Sequence, residues 1–410
     1  MNELILRKYA KLAVCSGVNV QKGQLLIINA SVFDHTFAEY CVEEAYKAGA
    51  GEVIVKWSDE NISHMNYEYE SVETLSNVPD WAVERVKDEH ARKACYLSID
   101  SSTPGLMSDI DPQKMKTSRM AYMKKMAPFM SYTMNNEGQW CIVALPNPKW
   151  AKKVFPDKSE EEAVKALWDA ILYSVRVRED NDPVEEWQKH DDELLNHCNI
   201  LNDYQFDYLH FKNNRGTDLK VNLVKNHIWV GGGCTTLDGV FFNPNMPTEE
   251  CFCMPDKDNV NGIVYASKPL SYSGRVIEDF WFRFENGKVV DHGAAKNVEA
   301  LDELLNTDEG SRHLGEVALI SYDSSISNLD ILFFNTLFDE NASCHLALGR
   351  CYPENVEGGI EMTEDELKAA GGNTSMNHVD FMFGTEDMTV TGVTFDGKKI
   401  KVFENGNFVI

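Results

Sequence analysis

The sequence has too little positive charge for a nucleic-acid-binding protein. Its 410 residues include 39 Lys and Arg against 65 Asp and Glu, which gives a formal net charge of −26 at pH 7. Because a duplex-binding surface needs a basic footprint, we do not expect nucleic acid among the partners. The acidic balance aids solubility instead, and it favours divalent cations wherever the carboxylates are focused on one site.

Long apolar runs are also missing from the sequence. No stretch approaches the roughly 18 uninterrupted apolar residues that a membrane-spanning helix needs, so no membrane partner is predicted. The segment from Met1 to Ala13 does not read as a secretory signal, because Arg7, Lys8 and Lys11 interrupt any apolar centre. We therefore expect a cytoplasmic protein.

The ten cysteines form no C-x-x-C pair and are scattered along the chain. In a long chain without a secretion signal, such cysteines are expected to be reduced and mostly buried thiols. Cys251 and Cys253 are the one close pair. Their spacing suits neighbouring positions on one face of a strand better than it suits a zinc site.

Two common catalytic motifs are absent as well. No Gly-rich phosphate loop follows a predicted strand, so a nucleotide site is not indicated. No Gly-x-Ser-x-Gly elbow is present, which argues against a serine hydrolase of that type. Cys344 stands beside His345, but a catalytic thiol and its base are rarely neighbours in sequence, so a cysteine nucleophile is disfavoured.

The first half of the chain alternates between strand and helix patterns. Short apolar runs at 24–29, 52–57 and 94–99 predict buried strands, and the spacing from Thr36 to Lys47 predicts a helix between the first two. Strands that alternate with helices favour a parallel sheet. The sequence therefore predicts an α/β domain at the N-terminus.

The N-terminal half ends with two predicted helices, each of which begins at a clear capping residue. Ser159 opens the first with a capping box, and Asp182 opens the second, which is predicted to run to about Leu195. We place the domain boundary at the end of the second helix. The predicted domains are an α/β N-terminal domain over 1–195 and a second domain over 196–410, which contains the candidate catalytic segments described below.

After residue 200 the hydrophobic period changes from about 3.6 to about 2 residues, which is typical of strands. The segments 206–211 and 219–223 alternate around a turn at 213–216, and Phe280 to Phe284 alternate again. A helix is predicted near Val298 to Leu305. The second half is thus predicted to be a β-rich α+β domain.

The segment His378-Val379-Asp380 is the most informative short motif. Alternate residues of a strand point to the same face, so the imidazole of His378 and the carboxylate of Asp380 would project together. This pair is a good half-site for zinc, cobalt or manganese. The alternative is that the two side chains merely bond to each other.

Three further segments supply acids and a second imidazole. Glu250 ends a loop shaped by two prolines, and Glu316 enters an apolar run in which a buried carboxylate would need a partner. Glu340 and His345 stand five residues apart, so a loop rather than a helix face would have to bring them together.

Each segment also has a plainer interpretation. Glu249 and Glu250 could form a solvated turn, Glu316 could be an exposed acid at a strand edge, and His345 could be a structural histidine. All candidates nevertheless lie in the C-terminal half, which favours a single site. Together they offer the mixture that dinuclear hydrolases use, in which one carboxylate bridges two cations about 3.5–4 Å apart.

The order of these motifs resembles the thermophilic aminopeptidase family of dinuclear metallopeptidases, which includes aminopeptidase T and PepS. The resemblance rests on Asn-x-Pro-x-x-Glu at 245–250, Gly-Glu at 315–316, Glu-Asn-Ala at 340–342 with His345, and His-x-Asp at 378–380. It covers essentially the whole chain.

The resemblance implies a set of site residues. The implied metal ligands are Glu250, Glu316, His345, His378 and Asp380, with Glu340 as a further candidate. Glu316 would bridge the metals and take part in catalysis, and Tyr352 corresponds to the family tyrosine near the metals. Its phenol could donate to the tetrahedral oxyanion or contact a metal.

The resemblance also implies an activity and an assembly. We expect a cytoplasmic, metal-dependent aminopeptidase that acts on peptides with a free N-terminus and forms a homodimer. Its cofactors would be two divalent ions drawn from zinc, cobalt, manganese or magnesium. The sequence does not indicate which N-terminal residue of the substrate is preferred. Glu249, Glu250 and Glu340 are alternative candidates for the general base.

Two alternative functions use similar ingredients. A dinuclear phosphoesterase would bring cations to a phosphate, but Arg350 is the one cation close to these motifs in sequence. A catalytically silent metal-binding protein would hold metal without turning over peptide.

Overall fold

The computed structural model describes residues 2–273 and 275–410, and the chain divides into two compact units. The N-terminal unit contains the residues up to Lys189 together with Gly233–Pro247. The C-terminal unit contains His190–Gly232 and Thr248–Ile410. The domain boundary between residues 195 and 196 stays a prediction.

Helices and strands alternate through the N-terminal unit, whereas strands dominate the C-terminal unit. The helices are α1 (Glu3–Leu12), α2 (His35–Ala48), α3 (Glu60–Tyr69), α4 (Val72–Ser76), α5 (Asp80–Ala91), α6 (Pro112–Met134), α7 (Pro148–Val154), α8 (Glu160–Ser174), α9 (Pro183–Tyr204), α10 (Val298–Leu305), α11 (Thr336–Asp339) and α12 (Glu364–Ala369). The strands are β1 (Leu25–Ser31), β2 (Glu52–Ser58), β3 (Cys95–Asp100), β4 (Trp140–Ala144), β5 (Phe206–Lys212), β6 (Asp218–Leu223), β7 (Val230–Gly231), β8 (Cys234–Thr235), β9 (Phe241–Phe242), β10 (Asn245–Met246), β11 (Cys251–Cys253), β12 (Pro255–Tyr265), β13 (Leu270–Tyr272), β14 (Arg275–Ile277), β15 (Trp281–Glu285), β16 (Lys288–Gly293), β17 (Leu314–Leu319), β18 (His345–Gly349), β19 (His378–Met382), β20 (Thr389–Thr394), β21 (Lys399–Glu404) and β22 (Asn407–Phe408).

A five-stranded parallel sheet forms the centre of the N-terminal unit, with the strand order β10–β4–β3–β1–β2. Leu26, Ile27 and Ile28 of β1 are fully buried, as expected of a parallel strand that is covered on both faces. The predicted α/β domain with a parallel sheet is confirmed. The edge strand β10 was not predicted, because a strand of two residues is too short to show an alternating hydrophobic pattern.

The helix signals read from the sequence also appear in the structure. Ser159 Oγ accepts from the N–H of Glu162 at 3.3 Å, and Glu162 Oε2 accepts from the N–H of Ser159 at 3.1 Å. This is the predicted capping box. Asp182 Oδ1 accepts from the N–H of Val184 at 3.0 Å and so caps α9.

Helix α9 runs to Tyr204, so the predicted end at about Leu195 is wrong. The buried side chains of Leu194, Cys198 and Leu201 continue one face of the helix at helical spacing. The burial of these side chains stabilises the helix beyond its predicted end at Leu195. Gln205 follows with a φ of 43°, which ends the helix.

Two antiparallel sheets form the C-terminal unit. The larger has the order β16–β15–β12–β6–β5–β20–β21–β22, and the smaller has the order β19–β18–β17–β11–β7. Aromatic side chains of the two sheets meet in a shared core, where the ring centroids of Phe282 and Phe381 are 5.1 Å apart. The predicted β-rich α+β domain is confirmed. The smaller sheet packs against this core with only one of its two faces, so its other face can carry polar side chains.

Two other predictions from composition can be compared with the structure. All ten cysteines are free thiols, and both Cys251 and Cys253 lie in the hydrophobic core, as predicted for one face of a strand. Among the helices of the described ranges, none combines the length and the apolar character needed to cross a membrane.

Replacing Ser159 with Ala should destabilise the N-terminal unit. The substitution removes the oxygen that accepts the Glu162 N–H, which typically costs about 1 kcal/mol in the free energy of unfolding. Ser159→Asp keeps an accepting oxygen and should stay close to wild type. Urea titration followed by far-UV circular dichroism measures both variants, and an equal loss of stability in the two would contradict the capping role.

Candidate metal centre

The smaller sheet of the C-terminal unit has one apolar face and one polar face. In its register Glu316 pairs with Ala347, which in turn pairs with Asp380, and His345 pairs with Ala318. Because paired residues of antiparallel strands project to the same side, Glu316, His345 and Asp380 share a face. His378 lies two residues before Asp380 in β19 and shares it too.

A β-bulge at Gly315 places Glu316 on the polar face. Leu314 and Glu316 pair with the consecutive residues 348 and 347 of β18, so Gly315 stands as an extra residue between them. Leu314 consequently packs in the core, although it is only two residues from Glu316. A Cβ on Gly315 would lie 2.3 Å from the carbonyl oxygen of Arg350, which leaves no room for a side chain.

The imidazole of His345 lies between carboxylates. Its Nε2 is 3.2 Å from Oε2 of Glu250, 3.2 Å from Oε1 of Glu316 and 4.0 Å from Oδ1 of Asp380. His345 is the first residue of β18 and is buried, and Glu250 directly precedes β11. Glu250, Glu316 and His345 form a group whose ligand atoms all lie within 4.8 Å of one another.

A second group shares Glu316. The Nε2 of His378 is 3.3 Å from Oε2 of Glu316 and 3.5 Å from Oδ1 of Asp380. Glu316, His378 and Asp380 also place their ligand atoms within 4.8 Å of one another. One oxygen of Glu316 therefore faces His345, and its other oxygen faces His378.

A hydrogen bond to a backbone carbonyl fixes the orientation of the His378 ring. Its Nδ1 lies 2.7 Å from the carbonyl oxygen of Arg350. A carbonyl can only accept, so Nδ1 carries a proton and donates, and Nε2 is directed at the carboxylates. This is the arrangement that a metal-ligating histidine usually has.

The donor set fits divalent cations. Carboxylate oxygens and imidazole nitrogens suit zinc, cobalt and manganese. Oδ1 of Asp380 is buried and accepts no hydrogen bond within the described part of the chain, although it faces the Nε2 atoms of both histidines. A buried carboxylate oxygen in that position needs a positive partner, and a metal ion would supply one.

Electrostatics also mark the cluster as one site. Burial opposes ionisation of Glu316, but hydrogen bonds from His345 and His378 lower the pKa of its carboxyl to about 2. Burial disfavours both imidazolium ions, yet the adjoining carboxylates hold the pKa values of His345 and His378 well above the ordinary range. The imidazoles and the carboxylates thus favour each other's charged forms.

Glu340 lies at the edge of this cluster. It begins the single-turn helix Glu340–Ala342, directly after α11. Burial, followed by the charges of Asp380 and Glu250, holds the pKa of its carboxyl well above the ordinary value. Glu340 is thus in electrostatic contact with the site but belongs to neither three-residue group.

Tyr352 lies beside the second group. Its ring centroid is 4.8 Å from that of His378 and 5.8 Å from that of Phe252. The structure therefore brings together every residue proposed for the site from the sequence. The catalytic and ligand roles assigned to them stay predictions.

The plainer interpretations of Glu316 and Glu249 are wrong. Glu316 is 4% exposed in the central strand β17, so it is not an acid at a strand edge. Glu249 is 8% exposed and accepts from the hydroxyl of Ser325, so it is not part of a solvated turn. Sequence alone could not decide either case, because both depend on partners distant in the chain.

Some positioning residues were not recognised from the sequence. Asn341 Oδ1 accepts from the N–H of Glu249 at 2.8 Å, and its Nδ2 donates to the carbonyl of Leu337 at 3.2 Å. Asn341 thereby fixes the segment leading to Glu250 against the turn that contains Glu340. Its place in the Glu-Asn-Ala motif was the one available signal.

Asp308 fixes the approach to β19 in a similar way. Its carboxylate accepts from the N–H of Ser311 at 2.9 Å, the hydroxyl of Ser375 at 2.8 Å and the N–H of Met376 at 2.6 Å. These bonds order the residues that immediately precede His378. No local pattern in the sequence marks an aspartate that acts across such a separation.

Comparison with known proteins agrees with this architecture. The sequence model of a family described as thermophilic metalloprotease (M29) matches residues 2–408. Aminopeptidase AmpS of Bacillus subtilis is 44% identical over 403 residues, which cover 98% of each chain. Aminopeptidase 2 of Geobacillus stearothermophilus is 41% identical over 403 residues, which cover 98% of this chain and 97% of the relative. The solved structure of wild-type AmpT from Thermus thermophilus matches with a TM-score of 0.92 and 37% identity, and the match covers 99% of each chain.

Replacing Glu316 with Gln should remove metal from both groups, because the variant keeps the shape of the side chain but loses the charge that the groups share. Metal content after dialysis against limiting zinc, measured by mass spectrometry, checks this expectation. The exposed Glu386→Gln is the matched control and should retain wild-type content. Wild-type zinc content in Glu316→Gln would refute the shared-ligand arrangement.

Proposed function

Because this chain belongs to the thermophilic metalloprotease (M29) family, we propose that it is a metal-dependent aminopeptidase that releases N-terminal residues from peptides. The family membership confirms the predicted resemblance and makes the chain a metallopeptidase. The predicted enzyme class, a metallo-aminopeptidase, agrees with the names of the relatives. The two ligand groups that share Glu316 are the observation that carries the proposal.

The proposed site holds two divalent ions. Glu250, Glu316 and His345 would bind one ion, and Glu316, His378 and Asp380 would bind the other, with Glu316 as the bridge. Zinc, cobalt, manganese and magnesium are the candidates, and the imidazole donors favour the first three. Ions bound there would polarise the scissile carbonyl and lower the pKa of a water at the site.

A carboxyl group is needed to take the proton of the attacking water. Glu249 is held by the hydroxyl of Ser325, and Glu250 is engaged with His345. The carboxylate of Glu340 has no hydrogen bond within the described residues, and it lies close enough to feel the charges of Asp380 and Glu250. Glu340 is therefore free either to complete the ligand set or to receive that proton.

Tyr352 is suited to donate a hydrogen bond. Tyr352 is 39% exposed, so it is only partly buried; this partial burial and the negative charges of Glu316 and Asp380 raise the pKa of its phenol. The phenol consequently keeps its proton at neutral pH. It can donate to the oxyanion that forms when the carbonyl carbon becomes tetrahedral.

The proposal extends to location and assembly. We propose that the enzyme acts in the cytoplasm as a homodimer and binds peptides with a free N-terminus. The net charge of −26 argues against nucleic acid as a partner.

Metal dependence and the need for a free amine can be tested together. Metal-stripped protein is given zinc, cobalt, manganese or magnesium and assayed on aminoacyl-para-nitroanilides and one N-acetylated control. Metal-restored release from the free-amine substrates, with none from the blocked control, is expected. If no metal restores release while para-nitrophenyl phosphate is hydrolysed, the protein is a phosphoesterase and the proposal is wrong.

Replacing Tyr352 with Phe should lower kcat by about 10²–10³-fold, the usual cost of losing one oxyanion donor. Metal content should stay at the wild-type level, because the six oxygen and nitrogen ligands of the two groups are unchanged. Tyr272→Phe, on the outlying strand β13, is the control. Unchanged kcat in Tyr352→Phe would remove the phenol from the mechanism.

A further inference from the structure

The parallel sheet of the N-terminal unit has one covered edge and one open edge. Strand β10 covers β4 at one side, whereas β2 at the other side pairs with β1 alone within the described residues. Alternate residues of an edge strand direct their N–H and C=O groups away from the sheet. The seven residues of β2 therefore present a free backbone edge about 23 Å long.

Strand β2 lacks the features that usually protect a free edge from pairing. It contains no proline, and its register with β1 is continuous from Glu52 to Ser58, without a bulge. Its one cation, Lys56, does not guard the edge, because the ammonium lies 2.7 Å from Oε1 of the buried Glu89. The middle of the edge is therefore open to another extended backbone.

A groove of about 380 Å³ runs along this edge. One wall is formed by the consecutive residues 54–57 of β2. Because successive residues of a strand point to opposite faces, this lining shows that the groove follows the edge of the sheet rather than one of its faces. The other wall is one side of α5 and the residue that follows it, with Arg85, Asp88, Glu89 and Arg92. These spacings of three and four residues place the side chains on one helix face.

Most charges of the groove are already neutralised within the unit. Lys56 binds the carboxylate of Glu89, and Arg92 is paired with Glu52. Arg85 differs, because its ion-pair partner is Oε1 of Glu89, 3.7 Å from Nε, and that oxygen is already bound to Lys56. Among the described residues no side chain or carbonyl accepts a hydrogen bond from Arg85. The helix wall thus presents one cation that can take a carboxylate partner.

We propose that this groove binds an extended peptide, which adds to β2 as a further strand and places an acidic side chain against Arg85. Backbone hydrogen bonds to a strand edge supply affinity in this mode of recognition, and the flanking side chains supply specificity. A guanidinium and a carboxylate form charge-assisted hydrogen bonds, so Arg85 selects an acid. Trp57, 47% exposed at the carboxyl end of the strand wall, offers a face for an apolar side chain.

The choice of ligand rests on the proposed function, because a polypeptide is the substrate of an aminopeptidase. All residues of the groove belong to the N-terminal unit, whereas the candidate metal ligands belong to the C-terminal unit. The groove is therefore an additional peptide site, which would retain a long substrate by a segment other than its N-terminal residue.

Other ligands match fewer of these features. A small anion would use Arg85 but would leave the backbone edge unpaired. Strand β2 of a second copy would pair with the edge, but its one carboxylate, Glu52, is already bound to Arg92, so it offers Arg85 no free acid. An extended peptide with an acidic side chain satisfies the edge and the cation together.

Fluorescence anisotropy of a labelled peptide tests the groove without turnover. The probe is an N-acetylated, fluorescein-labelled octapeptide of alternating threonine and valine with one central glutamate. Its acetyl group removes the free amine that the proposed activity needs. Arg85→Glu should weaken binding about five- to thirtyfold, because an ion pair becomes a repulsion, and a peptide with lysine in place of glutamate should restore it.

The matched control for this variant lies on the same helix. Lys87 is exposed on α5 outside the groove, so Lys87→Glu should bind the peptide as the wild type does. Circular dichroism checks that both variants are folded. Absence of binding to the wild type, or equal losses in the two variants, would overturn the proposal.

Methylation of the peptide backbone tests strand addition without changing the protein. Only alternate N–H groups of an added strand face β2, so N-methyl groups on one set of alternate residues should weaken binding about tenfold or more. The same number of methyl groups on the other set should leave binding close to that of the unmodified peptide. Equal effects of the two sets would show that the peptide does not bind as a strand and would overturn the proposal.

Sedimentation velocity with saturating peptide tests the choice of occupant. The oligomeric state of the wild type should not change, because the peptide takes an edge that no second copy uses. Dissociation of a dimer by the peptide would assign the edge to a second copy and overturn the proposal. Binding of the blocked peptide does not depend on hydrolysis of aminoacyl-para-nitroanilides. Binding without hydrolysis therefore refutes the proposed aminopeptidase alone, and hydrolysis without binding refutes this groove alone.

Discussion

A carboxylate cannot remain ionised in a protein interior without a positive partner, and this constraint organises the C-terminal unit around Glu316. The side chain sits in the central strand of the smaller sheet, with one oxygen toward each of two histidines on neighbouring strands. The two imidazoles can supply positive charge to this carboxylate as imidazolium ions, and divalent ions would supply it at the proposed site.

Regular strands supply most of the proposed ligands, and this limits how far the site can deform. His345, His378 and Asp380 belong to paired strands, and the opposite face of the same sheet is fixed by aromatic packing such as that of Phe282 on Phe381. Sites built on strands are held more tightly than sites built on loops. Glu250 and Glu340 lie outside the strands, and Asn341 ties their neighbourhoods together by accepting from the N–H of Glu249 and donating to the carbonyl of Leu337.

The sequence predicted the parts of this arrangement that depend on local periodicity. His378 and Asp380 could be placed on one face because a strand alternates, and the parallel sheet followed from alternating strands and helices. Glu316 was ambiguous because its direction depends on a bulge, which is visible only when β17 is paired with β18. Asp308 and the true end of α9 depend on contacts between distant residues, so no short window of sequence contains them.

The return of Gly233–Pro247 to the N-terminal unit has a consequence for how the chain is made. A ribosome that has released residues 1–189 has produced a parallel sheet that still lacks its edge strand, since β10 is translated more than forty residues later. During that interval the outer edge of β4 presents unpaired N–H and C=O groups to the cell. Until residue 247 emerges, this edge can pair with a strand of another chain, which is a contact through which partly folded chains aggregate.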